Sequence, residues 1–356
     1  MLNNYEDLLK LSRKYNVPIY DVIFIALNRY GVKMDSLEKR IRMKIKLVGL
    51  DEEFYLAIAV NTFDSMFYLK DNIIYLNDYK IGEITRLEKD TCDTTYFRKN
   101  KTEMTLNSNA RSKCSGCKFC GSYNLEAKDQ FYLTDKEIVH NYVINLLKEN
   151  DLKDLSNIEG ITVCTGCFKD EDKLLDHLIL LREELKNFGF DKRLKYIGSQ
   201  IRSDKALNTI KEKLMPFSLF ITTEVFTNRE KIMRKEKASL DIHKTCDLLD
   251  RANKLDIETT ILYIAGLESV EVFKKNMSLI SNYVNKFPIV QVFQNYEKEH
   301  EDYRDISAKN ITFYLEIRKC LEDIFNDKNL GPNSWENYRS LFYTTYNDKE
   351  YKCVRI

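Results

Sequence analysis

Residues 104–120 read MTLNSNARSKCSGCKFC: a short β-type run, Met104 to Ala110, passes into a loop that holds Cys114, Cys117 and Cys120. The β-type character returns as GITVC (160–164), LKYIGS (194–199), SLFITTEV (218–225), ETTILYIAG (258–266) and PIVQVFQNY (288–296). Helical apolar spacing fills the intervals near 135–148, 170–188, 203–214, 238–255 and 270–286. Six strands alternating with helices predict an α/β fold, a parallel sheet with right-handed crossovers. A last helix is expected near 306–326, after which about thirty residues remain. That is too few for two more β/α units of roughly 30 residues each. The expectation is a partial (β/α)6 TIM-like barrel over residues 104–326. Its ligands should gather at the carboxyl ends of the strands.

Working outward, residues 1–103 form a separate N-terminal helical and antiparallel β region. Helical spacing covers 5–14 and 19–31, the second beginning after Pro18. Short β-rich runs follow, FYLAIAV (54–60), SMFYL (65–69), NIIYL (72–76) and KIGEITRL (80–87), separated by turn pairs such as Asp71-Asn72 and Asn77-Asp78. Residues 327–356 are a C-terminal extension.

With 56 Lys and Arg against 55 Asp and Glu in 356 residues, the net field carries no signature of nucleic acid or of an anionic membrane. The amino-terminal stretch lacks an apolar signal core and no window approaches the roughly 18 apolar residues of a membrane span, so a cytoplasmic protein is expected. Nine cysteines without a secretory signal argue for metal or redox chemistry over a disulfide framework. Five of them fall in two clusters, Cys114/Cys117/Cys120 and Cys164/Cys167. The isolated Cys92, Cys246, Cys320 and Cys353 suit small buried hydrophobes.

Soft thiolates prefer iron–sulfur clusters, zinc or cuprous copper. A structural zinc site takes four protein ligands, and the nearest histidine downstream of the triplet is His140. A zinc module completed by a distant cysteine is one alternative. Three thiolates on a four-iron cluster instead leave one iron open, where a small molecule can chelate. On these residues the chain resembles the radical S-adenosylmethionine (radical SAM) superfamily, whose members carry three cysteines on the loop after the first strand, with an aromatic residue before the last. Phe119 occupies that aromatic position, which lies against adenine in the family. The first gap departs from the common pattern, with two residues between Cys114 and Cys117 where three are usual.

The resemblance extends to about residues 104–300. TTEVFTNREKIMRKEKASLDIH (222–243) is similar to the segment by which biotin-synthase-like and hydrogenase-maturation members hold the methionine part of S-adenosylmethionine. It implies Glu224 at the cosubstrate amino group and Arg234 at its carboxylate. In ILYIAGLES, Ile264 and Gly266 match the adenine-packing element of the fifth strand, with Leu262 where an earlier glycine is usual. Where the family often has Gly-Gly-Glu on the second strand, VCTGCFKD offers Thr165 and Gly166 as backbone acceptors. The resemblance thus implies a [4Fe-4S] cluster on Cys114, Cys117 and Cys120, S-adenosylmethionine as cosubstrate, and an electron donor such as a ferredoxin or flavodoxin.

Cys164 matches a cysteine that helps hold the auxiliary cluster of biotin synthase, but Thr260 stands where the next ligand would be. Cys164 and Cys167 are therefore read three ways: buried strand-end residues, half of an auxiliary iron–sulfur site, or thiols acting on a substrate radical. Sulfur insertion is the alternative reaction within the superfamily. Tyr196, Ser199, Gln200, Thr222, Tyr263 and Gln294 (or Tyr296) are the candidates for lining the cavity around an unidentified substrate.

Overall fold

The computed structural model describes residues 4–61, 64–89, 95–109, 116–121, 133–166, 168, 170–333 and 335–351. Helices α1 (Tyr5–Tyr15) and α2 (Ile19–Tyr30) open the chain. A five-stranded antiparallel sheet follows, built from β1 (Arg40–Leu47), β2 (Glu53–Ala59), β3 (Phe67–Lys70), β4 (Ile73–Leu76) and β5 (Tyr79–Lys89) in the order β2-β1-β5-β4-β3. β1 was not among the expected runs. Its sequence RIRMKIKL alternates apolar and basic residues, the period-2 pattern of a strand with one apolar face.

The second sheet is the expected one. β7 (Glu103–Asn109), β8 (Gly160–Thr165), β9 (Arg193–Gly198), β10 (Phe217–Glu224), β11 (Glu258–Ala265) and β12 (Ile289–Val292) pair in parallel in sequence order. A short antiparallel strand, β6 (Tyr96–Arg98), extends the β7 edge. The outer strands β6 and β12 do not pair with each other, so the sheet is an open partial barrel. Its central strands are buried, as parallel strands covered on both faces require; in β10 every residue but Glu224 is buried.

The crossover helices are α3 (Lys136–Glu149), α4 (Glu171–Asn187), α5 (Asp204–Lys213), α8 (Ile242–Asn253) and α9 (Val270–Ile280), with the one-turn helices α6 (Arg229–Ile232) and α7 (Lys235–Ala238) ahead of α8. The side chains of Asp135, Asp170, Ser203, Asp241 and Ser269 each accept from the backbone N–H three residues on. Every crossover therefore enters its helix through a side-chain cap. α10 (Ile311–Phe325) packs against α2 and α9, and a small hairpin, β13 (Thr345–Tyr346) and β14 (Lys349–Glu350), follows.

The C-terminal segment ties the two regions together. Arg318 on α10 forms a buried ion pair with Asp21 on α2 and donates to Leu341 O (2.7 Å), while Asp21 accepts from Thr344 N (2.6 Å). Upstream, the segment lies along the free edge of β12, where Val292 N donates to Arg339 O (2.9 Å) and Asn337 Nδ2 to Val290 O (2.7 Å). It also reaches the amino-terminal ends of the strands. There Glu336 pairs with Lys286 (2.8 Å) and Lys195 (3.7 Å), and Lys195 pairs with Glu103 (2.9 Å), all four side chains being largely buried. This ionic plug is the floor of the barrel. No helix of the described residues is long and apolar enough to cross a membrane.

Candidate active site

A cavity of ≈ 260 Å³ lies within the partial barrel. Cys117, Phe119 and Cys120 reach it from the loop after β7, Cys164, Thr165 and Gly166 from β8 and the turn beyond it, Glu224 from β10, and Ile264 from β11. Arg234 and Lys237 line it from the turn between β10 and α8. Cys114 and Cys167 lie outside the described residues, as do Cys92 and Cys353. Among the described residues no group of three His, Cys, Asp or Glu side chains converges as a metal site.

The cysteine loop docks on the turn after β10: Lys118 N donates to Ile232 O (2.8 Å), and the Cys117 thiol accepts from the Arg234 backbone N–H. Burial pushes the Cys117 thiol up, and the Lys237 ammonium pulls against that rise. Phe119 packs in one apolar cluster with Ile264, Met233 and Phe293, so the aromatic residue of the loop and the strand residue assigned to the same ligand meet on one wall. The other end of the loop presses on β12's continuation: a Cβ added at Gly121 would fall 2.3 Å from Cδ2 of Tyr296.

Glu224 sits at a break in the sheet. Its φ is +64°, in the left-handed region that non-glycine residues rarely adopt, and the β10–β11 register slips between Thr222 and Glu224. Two buried residues hold the chain in this shape. Arg229 donates to the carbonyls of Thr223 (2.6 Å), Val225, Lys237 (2.9 Å) and Ala238 (3.1 Å). Glu268 accepts from Phe226 N (2.7 Å), Thr227 N (2.5 Å) and Tyr263 Oη (3.0 Å). With the turn fixed, Glu224 forms an ion pair with Lys237, each side chain 15% exposed. Burial works against the Lys237 charge, but the Glu224 carboxylate and neighbouring thiols outweigh it and raise the pKa.

Sequence reasoning missed Lys237. The signal was present, since Arg234 and Lys237 are three residues apart on one helical turn. Arg234 pairs with Glu236 at 3.3 Å.

Of the substrate candidates, Tyr196, Ser199, Gln200, Thr222 and Tyr296 line the cavity. Two do not. Tyr263 is buried against Glu268, and Gln294 turns away to donate to Ala57 O (2.9 Å). Gly266, φ +119°, lies beyond the cavity wall, where a Cβ would fall 2.6 Å from Tyr314 Oη. Thr260 donates its hydroxyl to Lys286 O (3.1 Å) and Phe287 O (3.0 Å), away from the cavity. Cys246 is buried in α8 and Cys320 half-buried in α10.

No protein-family model matches the chain, and no curated protein does. Among solved structures it is similar to SuiB of Streptococcus suis bound to S-adenosylmethionine, at 10% identity and TM-score 0.45, over 64% of this chain and 48% of SuiB. It is similar to HydG, a maturase of the [FeFe]-hydrogenase, at 14% identity and TM-score 0.43, over 61% of this chain and 49% of HydG. A third is coproporphyrinogen III oxidase HemN from Escherichia coli, described as a radical SAM enzyme, at 14% identity and TM-score 0.40, over 59% and 49%. The chain spans about half the length of each.

Proposed function

We propose that this chain is a radical SAM enzyme, in which Cys117 and Cys120, with Cys114, hold a [4Fe-4S] cluster beside a bound S-adenosylmethionine. The observation that carries the reading is the convergence on one cavity wall of two loop thiols, the Glu224–Lys237 pair and the Phe119–Ile264 apolar face. When bound, the cluster and cosubstrate supply one-electron reductive cleavage to a 5′-deoxyadenosyl radical, which takes hydrogen from the substrate.

The residues fit that pair of groups by their chemistry. Cys117 and Cys120 offer soft donors at a cavity, and Lys237 favours the thiolate form of Cys117. Glu224 presents a carboxylate to a cationic amino group, and Arg234 a guanidinium to a carboxylate. Phe119 and Ile264 form an apolar surface suited to a flat heterocycle. Thr165 and Gly166 add backbone polar atoms, although the Gly166 carbonyl already accepts from the Thr165 hydroxyl at 2.5 Å.

Sulfur insertion with an auxiliary cluster is the second reading. Cys164 on the cavity wall supports it, and Thr260, bonded away from the cavity, gives it no further ligand.

The test is anaerobic reconstitution with iron and sulfide, then a strong reductant and S-adenosylmethionine. The expected result is a four-iron cluster and formation of 5′-deoxyadenosine, with both lost on changing Cys114, Cys117 or Cys120 to alanine. Stoichiometric zinc without acid-labile sulfide, or full activity in the alanine variants, would overturn the assignment.

A further inference from the structure

The cavity also takes arginines from outside the motifs of the barrel strands. Arg98 on β6 and Arg339 on the C-terminal segment line it, with Tyr96 and Tyr296 beside them. Arg98 is 5% exposed and is held by Trp335 O (2.7 Å from Nη1) and Thr105 Oγ1 (2.8 Å from Nη2). Arg339 donates to Tyr296 Oη (3.2 Å) and to Gln291 Oε1. All these partners are neutral. Neither guanidinium has a carboxylate within ion-pair distance among the described residues, and the Nε of each is buried without a hydrogen-bond partner. The carboxylates on the cavity wall are spoken for: Glu224 by Lys237, and Glu336 by Lys286 and Lys195.

A buried guanidinium at Arg98 and a half-buried one at Arg339, neither with a counter-charge, are costly, and arginine cannot relieve the cost by losing a proton. An anion entering the cavity beside them offsets that cost, and the planar fork of donors matches a carboxylate or phosphate. We propose that Arg98 and Arg339 form an anion subsite, and that the molecule acted on in this cavity is an organic acid held there by its charged group. The assignment of this anion as substrate rests on the reaction proposed above, while the subsite itself is a matter of binding alone.

The test titrates reconstituted full-length protein, with S-adenosylmethionine present, with benzoate, phenyl phosphate and the neutral isostere benzamide, followed by saturation-transfer NMR. One or both anions should bind at least about tenfold more tightly than benzamide, and Arg98→Gln and Arg339→Gln should each remove most of that preference. Stronger binding of benzoate identifies a carboxylic acid, and stronger binding of phenyl phosphate a phosphate ester. Arg339 is only partly buried, so its variant keeps the test decisive should Arg98→Gln fail to fold. Equal binding of benzamide and the anions, or unchanged anion affinity in Arg339→Gln, overturns the subsite. Because no turnover is needed, absence of anion preference in parent protein that still cleaves S-adenosylmethionine rejects the subsite alone. Retained preference in protein that never cleaves it upholds the subsite and rejects the reaction class.

Discussion

Glu224 and Lys237 close an ion pair across the turn after β10, both on the cavity wall beside Cys117. The pair is possible because a left-handed Glu224 and a buried Arg229 fold the intervening chain back on itself. If the carboxylate receives the cosubstrate amino group, Glu224→Gln should weaken S-adenosylmethionine binding by about 1.5–3 kcal/mol, roughly tenfold or more in Kd. The iron content should be unchanged. Equal affinity in equilibrium dialysis would exclude Glu224 from the contact.

Thiol chemistry should separate the cysteines by place. Cys164 is partly exposed on the cavity wall, whereas burial pushes the Cys246 thiol up to about 11. The thiolate is the reactive form, so iodoacetamide at neutral pH should label Cys164 much faster than Cys246 in cluster-free protein. Peptide mass spectrometry gives the rates. Protection of Cys164 by S-adenosylmethionine would locate it beside the ligand, and comparable labelling of both thiols would contradict the placement.

His177 on α4 supplies a pH dependence of stability. Its Nε2 lies 2.7 Å from Ser108 Oγ, and burial lowers its pKa to about 4. The unfolded chain binds the proton more readily, near pH 6.5. The stabilisation is therefore complete above that pH and is lost progressively as pH falls from 6.5 towards 4, on the order of 3 kcal/mol in all. Urea midpoints measured between pH 7 and 5 should fall in the parent and fall less in His177→Gln.

The barrel floor makes a further prediction. Lys195→Met leaves Glu103 without its close partner and weakens the hold on Glu336, both largely buried. The expected cost is about 3–5 kcal/mol, and Glu103→Gln in the same chain should recover part of it. Thermal melts of the single and double variants measure the coupling. Additive losses would mean that the two charges do not depend on each other.

The parallel sheet was legible because six apolar runs alternate with amphipathic stretches, and the caps at Asp170 and Ser269 mark helix starts directly in the sequence. The site's first wall was legible for a similar reason, being built from residues within short local motifs. Arg98 and Arg339 were not. They come from the flanking regions: β6 is only three residues long, too short for a strand pattern, and the C-terminal segment lies along β12 through long-range bonds that leave no local pattern. β1 was overlooked because every second residue is basic, so its apolar content is low although its alternation is regular. Tyr263 and Gln294 failed as lining residues because a strand-end position fixes neither the side chain's direction nor its buried partners, here Glu268 and Ala57 O.

Because Glu336 completes the floor, the cavity is closed by a segment made after all six strands. The six strands leave the ribosome before Glu336 exists to meet Lys195 and Lys286, and before Arg339 covers the edge of β12. A nascent chain stalled before Trp335, or one clipped there by a protease, has both an open-bottomed barrel and an uncovered strand edge of the kind that pairs with other chains. Such a product exposes backbone donors and acceptors that the intact chain satisfies internally.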